Sequence, residues 1–339
     1  DMAMRLLERN LKLRGGELLR GTAAERLIVE QGRIAGVEAK RGGASLTIRS
    51  RNVLIADGGY QSNRDLLGEH ITAHPVKLMQ RGAANGFGDG LRMARAVGAA
   101  TSELSDFYGH LLSRDAFTND RVWPYPQCDE LGVAGIIVNS NGERFADEGR
   151  GGVFMANAIA KLADPLSAFA VFDEAIWQGP GKNARIPANP LLVEAGATVH
   201  TASTLAELAV KIGVPAPSLE ATVRNYNAAF EQGTLGQLKP GRSNKPIAGN
   251  SPIPTMPLTT APFHAVALCA GITMTMGGIA IDERARVLGT SGSPIPGLFA
   301  AGSCTGGLEG RGGAHYLGGL MKAAVFGLLA GEQVAAARP

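Results

Sequence analysis

Residues Gly297 to Gly319 read GLFAAGSCTGGLEGRGGAHYLGG, which is nine glycines among 23 residues. The stretch opens as a short apolar strand, GLFAAG, that breaks at Gly302 and runs through a glycine-dense turn to a second start signal at Leu317-Gly318-Gly319. Glycine loses more backbone freedom on folding than any other residue, so such a density needs compensation. A nest of backbone N–H groups and a helix N-terminus turned toward a polar or anionic group would supply it. The alternative is a flexible surface loop. A buried strand before the run and an apolar helix over Gly318 to Ala337 after it favour a ligand site at the carboxyl end of a strand.

Working outward, Asn52 to Ala56 (NVLIA) is a second short apolar run, of the kind seen in buried parallel strands, and it ends at Asp57-Gly58-Gly59. Two glycines there let backbone approach a ligand closely. Before it, Met2 to Arg14 has helical spacing and stops at Gly15-Gly16. Arg26 to Glu30 and Arg33 to Glu38 flank Gln31-Gly32, and Ser45 to Ser50 follows, which predicts an antiparallel meander. After it, Gly86-Phe-Gly-Asp-Gly opens a helix with Asp89 at its N-terminus and Leu91, Ala94 and Val97 on one face.

The character changes near Thr101, with Pro124, Pro126 and a strand and turn over Gly135 to Arg144. Thr204 with Glu207 predicts a capping box, and Ser218 begins a further helix that runs to Gln232-Gly233. Five prolines between Pro246 and Pro262 suggest a linker back to the glycine-rich end. No repeat or low-complexity tract interrupts the chain.

Composition bounds the rest. The 339 residues are 45% apolar with 46 glycines and only 5% aromatics, which favours a mixed α and β chain with many tight loops. A net charge of +3 with scattered basic residues provides no stripe for nucleic acid. Cys128, Cys269 and Cys304 form no CxxC, so neither a disulfide framework nor a metal site is indicated, and a cytoplasmic setting is expected. No apolar run is long enough to span a bilayer, and Asp1 to Arg20 has no leader pattern, reading instead as the inside of a domain.

Four segments in order resemble the FAD-dependent fumarate reductase, succinate dehydrogenase and ketosteroid dehydrogenase flavoproteins. They are NVLIADGGY, GFGDGLRMARAVGA, GIIVNSNGERFADE and GLFAAGSCTGG followed by LGG, within a match from about Gly15 to Pro339. The resemblance implies an α/β fold: a Rossmann-like FAD-binding domain in two parts, 1–105 and 263–339, around an inserted α+β capping domain at 106–262. The family's first strand, its GxGxxG turn and its acidic ribose-binding residue lie before the matched region. The FAD domain is therefore expected to be N-terminally incomplete, and a partner chain supplying that segment is one expectation.

The resemblance also implies site residues. Ala56 matches the residue at the adenosine end, Asp89 the acid that helps hold the flavin, and Ser303, just after Gly302, a position where many relatives carry a glutamate on the ribityl chain. Met321 and Lys322 match backbone positions that cap the flavin ring from the helix start, with Gly318 and Gly319 permitting the approach. The chain departs from the fumarate-reducing members. Tyr316 stands where they clamp a carboxylate with arginine, and Met274 where they carry histidine, so tight dicarboxylate binding loses charge-assisted bonds.

Tyr316, in AHYLGG, resembles the tyrosine with which ketosteroid-type members polarise a substrate carbonyl; alternatively it packs under the flavin. Its neighbour His315 is expected to face away. Arg150 matches the family's proton-donating arginine at a shorter spacing from Glu148, or else bonds loop carbonyls. His110 resembles a substrate-contacting histidine at the cap entrance, or else is structural.

The expectation is a FAD-dependent oxidoreductase acting on a carbon–carbon bond next to a carbonyl or carboxylate, by dehydrogenation or ene reduction, on a small-molecule substrate. The alternatives are a fragment or subunit of a split flavoprotein, inactive without its N-terminal portion, and a flavoprotein that binds a hydrophobic ligand without turnover. With no complete dinucleotide fingerprint, an ordinary NAD-dependent dehydrogenase is disfavoured.

Overall fold

A computed structural model describes residues 2–183, 186–243, 253–309 and 317–336. The first helix, Met2–Leu13, buries none of its residues, and Gly16 N–H closes it onto the Leu11 carbonyl at 2.9 Å. The expected meander follows as β1 (Thr22–Glu30), β2 (Arg33–Arg41) and β3 (Ala44–Arg49), paired antiparallel in that order. Gln31 and Gly32 both take positive φ, 49° and 76°, as a two-residue hairpin turn requires. Next comes β4 (Val53–Ile55), and then the helix Asp89–Ala96, whose Leu91 and Ala94 are buried.

The middle of the molecule is a six-stranded sheet built on one long strand. Its members are β5 (Met79–Gln80), β6 (Phe107–Ser113), β7 (Ile136–Val138), β8 (Phe169–Asp173), β9 (His200–Ala202) and β10 (Phe263–Thr275). β10 pairs antiparallel with β8 and β9 along its first residues and with β6 along its last, while β5 lies parallel to it. Apolar residues on nearly every position of β10 bury both faces, and the helices Gly152–Ala160 and Asp129–Ala134 cover the sheet. Phe107, Leu111, Ile136, Ile137, Met155 and Phe172 are fully buried there, each contributing about 2 kcal/mol by removal from water.

Capping follows the sequence with small shifts. Thr204 Oγ1 accepts from Glu207 N–H at 3.2 Å, but the Glu207 carboxylate reaches back to Ser203 N–H, one residue before the cap. The next helix begins two residues earlier than read, at Ala216, and runs to Glu231.

A third, three-stranded sheet joins distant parts of the chain. β11 (Arg286–Leu288) pairs antiparallel with β12 (Pro294–Ala300), which pairs parallel with β4. β4 ends this sheet, and its Leu54 is 44% exposed. The strand read as fully buried is therefore covered on only part of its surface. The last helix, Gly319–Ala336, packs Phe326, Ala330 and Val334 against Ala285 and Phe299, yet leaves Leu320 at 89% and Leu328 at 65% exposed. Apolar composition there does not mean burial among the described residues.

Candidate active site

The parallel pair β4 and β12 ends on one side of the sheet. Ala301 N–H donates to the Ile55 carbonyl at 2.9 Å, so Ala56 and Asp57 lie beside Gly302 and Ser303. Gly302 has φ +79°, and a Cβ on it would stand 3.4 Å from the Ala323 Cβ in the last helix. A left-handed backbone pressed against the first turns of a helix explains why glycine occupies this position. The crevice at the carboxyl ends of parallel strands, floored by glycine and facing a helix N-terminus, fits a phosphorylated or otherwise anionic cofactor.

Lys322 anchors this corner. Its ammonium is buried, donates to the Thr305 carbonyl at 3.0 Å and pairs with the buried Glu309 carboxylate at 2.5 Å. The first turn of the helix, including Gly318, Gly319 and Met321, is thereby tied to the loop after Gly302.

Asp89 begins the helix Asp89–Ala96, but its carboxylate points outward to Arg92 at 2.6 Å. The acid that meets this helix start is Asp57, whose Oδ2 accepts from Gly90 N–H at 2.7 Å. Desolvation raises the Asp57 carboxyl above the ordinary aspartate range, and the Gly90 N–H opposes the rise. Asp57 was legible as the residue closing a strand, without a sign of its partner. The glycine pair after it serves packing: a Cβ on Gly59 would lie 2.3 Å from Thr275 Oγ1, while Gly58 takes φ +91°. The close approach anticipated there is made to a neighbouring strand.

Met274 connects the crevice to the six-stranded sheet. Its sulfur accepts from Ser303 Oγ at 3.2 Å and would lie 3.3 Å from a Cβ on Gly319. Across the β6–β10 ladder Met274 pairs with Tyr108, and Gly271 pairs with His110. Alternation along β6 sends Tyr108 and His110 to one face. Arg81, just after β5, packs against the same stretch of β10, its side chain over Gly271, its Nη1 donating to Thr273 Oγ1 at 2.9 Å and its guanidinium 5.3 Å from the Tyr125 ring centroid.

His110 is buried and bonded at both nitrogens. Nδ1 lies 2.5 Å from Asp129 Oδ2, and Nε2 lies 2.9 Å from the Tyr108 hydroxyl. Asp129 Oδ1 accepts from Leu111 N–H at 2.8 Å, and the carboxylate sits where a Cβ on Gly152 would be, 2.1 Å from Cγ. Arg150, two residues before Gly152, lies over the Phe154 ring at 3.8 Å. Thus the structure brings His110 together with Tyr108 and Asp129, which the sequence reading missed. The available signal was Tyr108 and His110 at a two-residue spacing on a strand. Tyr316 and His315 lie outside the described residues.

Glu130, beside Asp129, has one buried oxygen without a partner among the described residues, and burial, reinforced by the Asp129 charge, raises its pKa to about 7. A carboxyl that holds its proton more tightly when folded stabilises the fold below about pH 4.5, its ordinary value, and loses that contribution as pH rises to about 7. Glu130→Gln should accordingly gain stability over the parent between those pH values, by about 2 kcal/mol at pH 8 after allowance for partial exposure. Urea unfolding at pH 4.5 and pH 8 checks this; an equal difference at both pH values would contradict it.

The family profile described as FAD binding domain matches residues 1–319. The chain is 32% identical over 326 residues to the 4-oxocyclohexanecarboxylate 2-dehydrogenase of Sinomonas cyclohexanicum, covering 90% of this chain and 54% of that protein. It is 28% identical to the NADH:fumarate oxidoreductase of Klebsiella pneumoniae, over 97% of this chain and 33% of that protein. The 3-ketosteroid Δ1-dehydrogenase of Sterolibacterium denitrificans, solved with 1,4-androstadiene-3,17-dione, superposes with a TM-score of 0.71 at 24% identity, covering 98% of this chain and 62% of that one, and shows the same fold. The chain spans about a third to three fifths of the length of the curated relatives it matches.

Proposed function

The chain belongs to the family of FAD-binding domains, and from that premise we propose that it forms the cofactor- and substrate-binding part of an oxidoreductase that makes or removes a carbon–carbon double bond beside a carbonyl. The observation carrying this reading is Met274, which touches Ser303 in the crevice and stands opposite Tyr108 on the sheet face that also bears His110. A cofactor in the crevice and a substrate on that face would then be neighbours. Bound FAD would supply the two-electron exchange.

Ala56, Gly302, Ser303, Gly318, Gly319, Met321 and Lys322 would hold it, with Asp89 at a helix start whose contact runs through Asp57. Arg150, and His110 acting through the Tyr108 hydroxyl bonded to it, are the proposed groups for moving a substrate proton, and Tyr316 the proposed group for polarising a carbonyl. A ketone bearing a carboxylate, as in the name of the Sinomonas relative, suits a face with Arg81 and aromatic neighbours. With Tyr316 and Met274 in place of the relatives' cations, a small dicarboxylate is disfavoured.

The open side of β4 and the exposed apolar residues of the last helix suit further polypeptide completing the FAD site, and we assign that role to an N-terminal segment supplied in the same protein or by a partner chain. Among the described residues no helix is long and apolar enough to cross a membrane. Three free, buried thiols, Cys269 and Cys304 pushed up by burial to about 12, suit a reducing compartment, and the cytoplasm is the proposed location.

An absorbance spectrum from about 300 to 600 nm, before and after FAD addition, tests the reading. Bound flavin that bleaches with a saturated cyclic ketone is expected. Flavin that binds and stays oxidised with every ketone tried would favour ligand binding without turnover.

A further inference from the structure

Within the proposed dehydrogenation, and resting on that reading, we propose that Tyr108 is the residue that exchanges the substrate proton, and that His110 and Asp129 are positioning residues behind it. Asp129 is fixed first. Its Oδ1 takes the Leu111 N–H, its Oδ2 takes His110 Nδ1, and its carboxylate is seated on Gly152, where any side chain would displace it. A carboxylate 2.5 Å from Nδ1 holds the imidazole proton on that nitrogen, so Nε2 carries the lone pair. The Tyr108 hydroxyl, 2.9 Å away, then donates to Nε2. Both ring nitrogens of His110 are engaged, which removes it from direct work on a substrate.

The phenol oxygen differs from the imidazole in one respect: it can donate to Nε2 and accept from another group at the same time. Tyr108 is half-buried and stands across the ladder from Met274, whose sulfur touches Ser303 in the crevice. The arrangement follows the logic of a hydroxyl, an imidazole and a carboxylate in line, with a phenol in the first place.

In dehydrogenation the α C–H bond of a ketone breaks and its proton bonds to the Tyr108 oxygen, while the phenolic O–H breaks and its proton bonds to Nε2. The resulting imidazolium is stabilised beside Asp129. The electron pair left on the α-carbon forms the new double bond as the β-hydrogen departs with its own pair, for which a bound flavin would be the two-electron acceptor. In the reducing direction the same groups return a proton to the α-carbon. A neighbouring acid, Glu130, lies close enough to feel the charges of Asp129 and His110, and its own proton is held to about pH 7.

The test uses the FAD-loaded chain with 4-oxocyclohexanecarboxylate as probe, following flavin bleaching by stopped flow and loss of the α-hydrogens into D2O by NMR. Tyr108→Phe keeps the ring and removes the hydroxyl. It should slow both signals about 100-fold or more, with KM changed less than about threefold, while Asp129→Asn slows both about 10-fold or more. If Tyr108→Phe exchanges α-hydrogens at the parent rate, the relay is overturned, whether or not the flavin bleaches. Lack of exchange by the parent also overturns it. Exchange without bleaching by the parent, lost in Tyr108→Phe, would support the relay and reject the oxidoreductase reading instead.

Discussion

Glu148→Ala is expected to lower the unfolding free energy by about 3–5 kcal/mol, among the largest effects of any single change in the sheet's core. Glu148 is fully buried, accepts from Arg144 Nε at 2.9 Å and Ile137 N–H at 3.1 Å, and pairs ionically with Arg242, whose Nη1 lies 3.4 Å away. Arg242 is itself buried and donates to the carbonyls of Gly135, at 2.8 Å, and Val133. Both guanidinium groups lie near the Tyr226 ring. Removing the one carboxylate leaves two buried cations facing each other, and that uncompensated charge, more than the loss of any contact, sets the size of the effect. Urea unfolding of the parent and of Glu148→Ala measures it, and a loss under about 1 kcal/mol would mean that water enters to solvate the arginines.

Lys322→Met is the second large change, because it strands another buried carboxylate, Glu309. Glu309 is 4% exposed, and its second oxygen has no partner among the described residues. Without the ammonium it must either take a proton or pull the loop open. Loss of about 3 kcal/mol in stability is expected. A second consequence follows from position. Lys322 also holds the Thr305 carbonyl, so its loss frees the loop after Gly302 from the helix start. FAD affinity, read by titration of the flavin absorbance, should fall about 10-fold or more, since each 1.4 kcal/mol is tenfold. Lys322→Met with unchanged flavin affinity would show that the crevice is held by other contacts.

These two clusters mark where the sequence could and could not be read. Arg144, Phe145 and Glu148 were visible as a strand, a turn, a basic residue and an acid, and the i,i+4 spacing of Arg144 and Glu148 is local. Their second arginine, Arg242, stands 94 residues after Glu148, beyond β8, β9 and several helices, and nothing in its sequence surroundings announces it. Lys322 entered the sequence reading through its backbone position, whereas its side chain turned out to tie the helix to Glu309. Asp89, at the start of a helix, entered through the resemblance as the acid that helps hold the flavin. The structure gives the contact to Asp57, which reaches that helix from the end of β4.

Local order is what the sequence determined by itself. Turn residues placed the hairpin at Gln31-Gly32, apolar runs bounded by glycine placed β4 and β12, helical spacing placed Asp89–Ala96, and a long apolar run after Leu317-Gly318 placed the last helix, because each depends on neighbours within a few residues. The resemblance carried by four ordered segments added the cofactor and the fold. Only the tertiary structure decided which strands pair. β10 collects partners from residues 79 to 202, β4 meets β12 across some 240 residues, and Tyr108, His110, Asp129 and Met274 come together through a strand ladder and a helix start. Register between distant strands is set by burial and backbone hydrogen bonds summed over the whole sheet, so no window of sequence contains it.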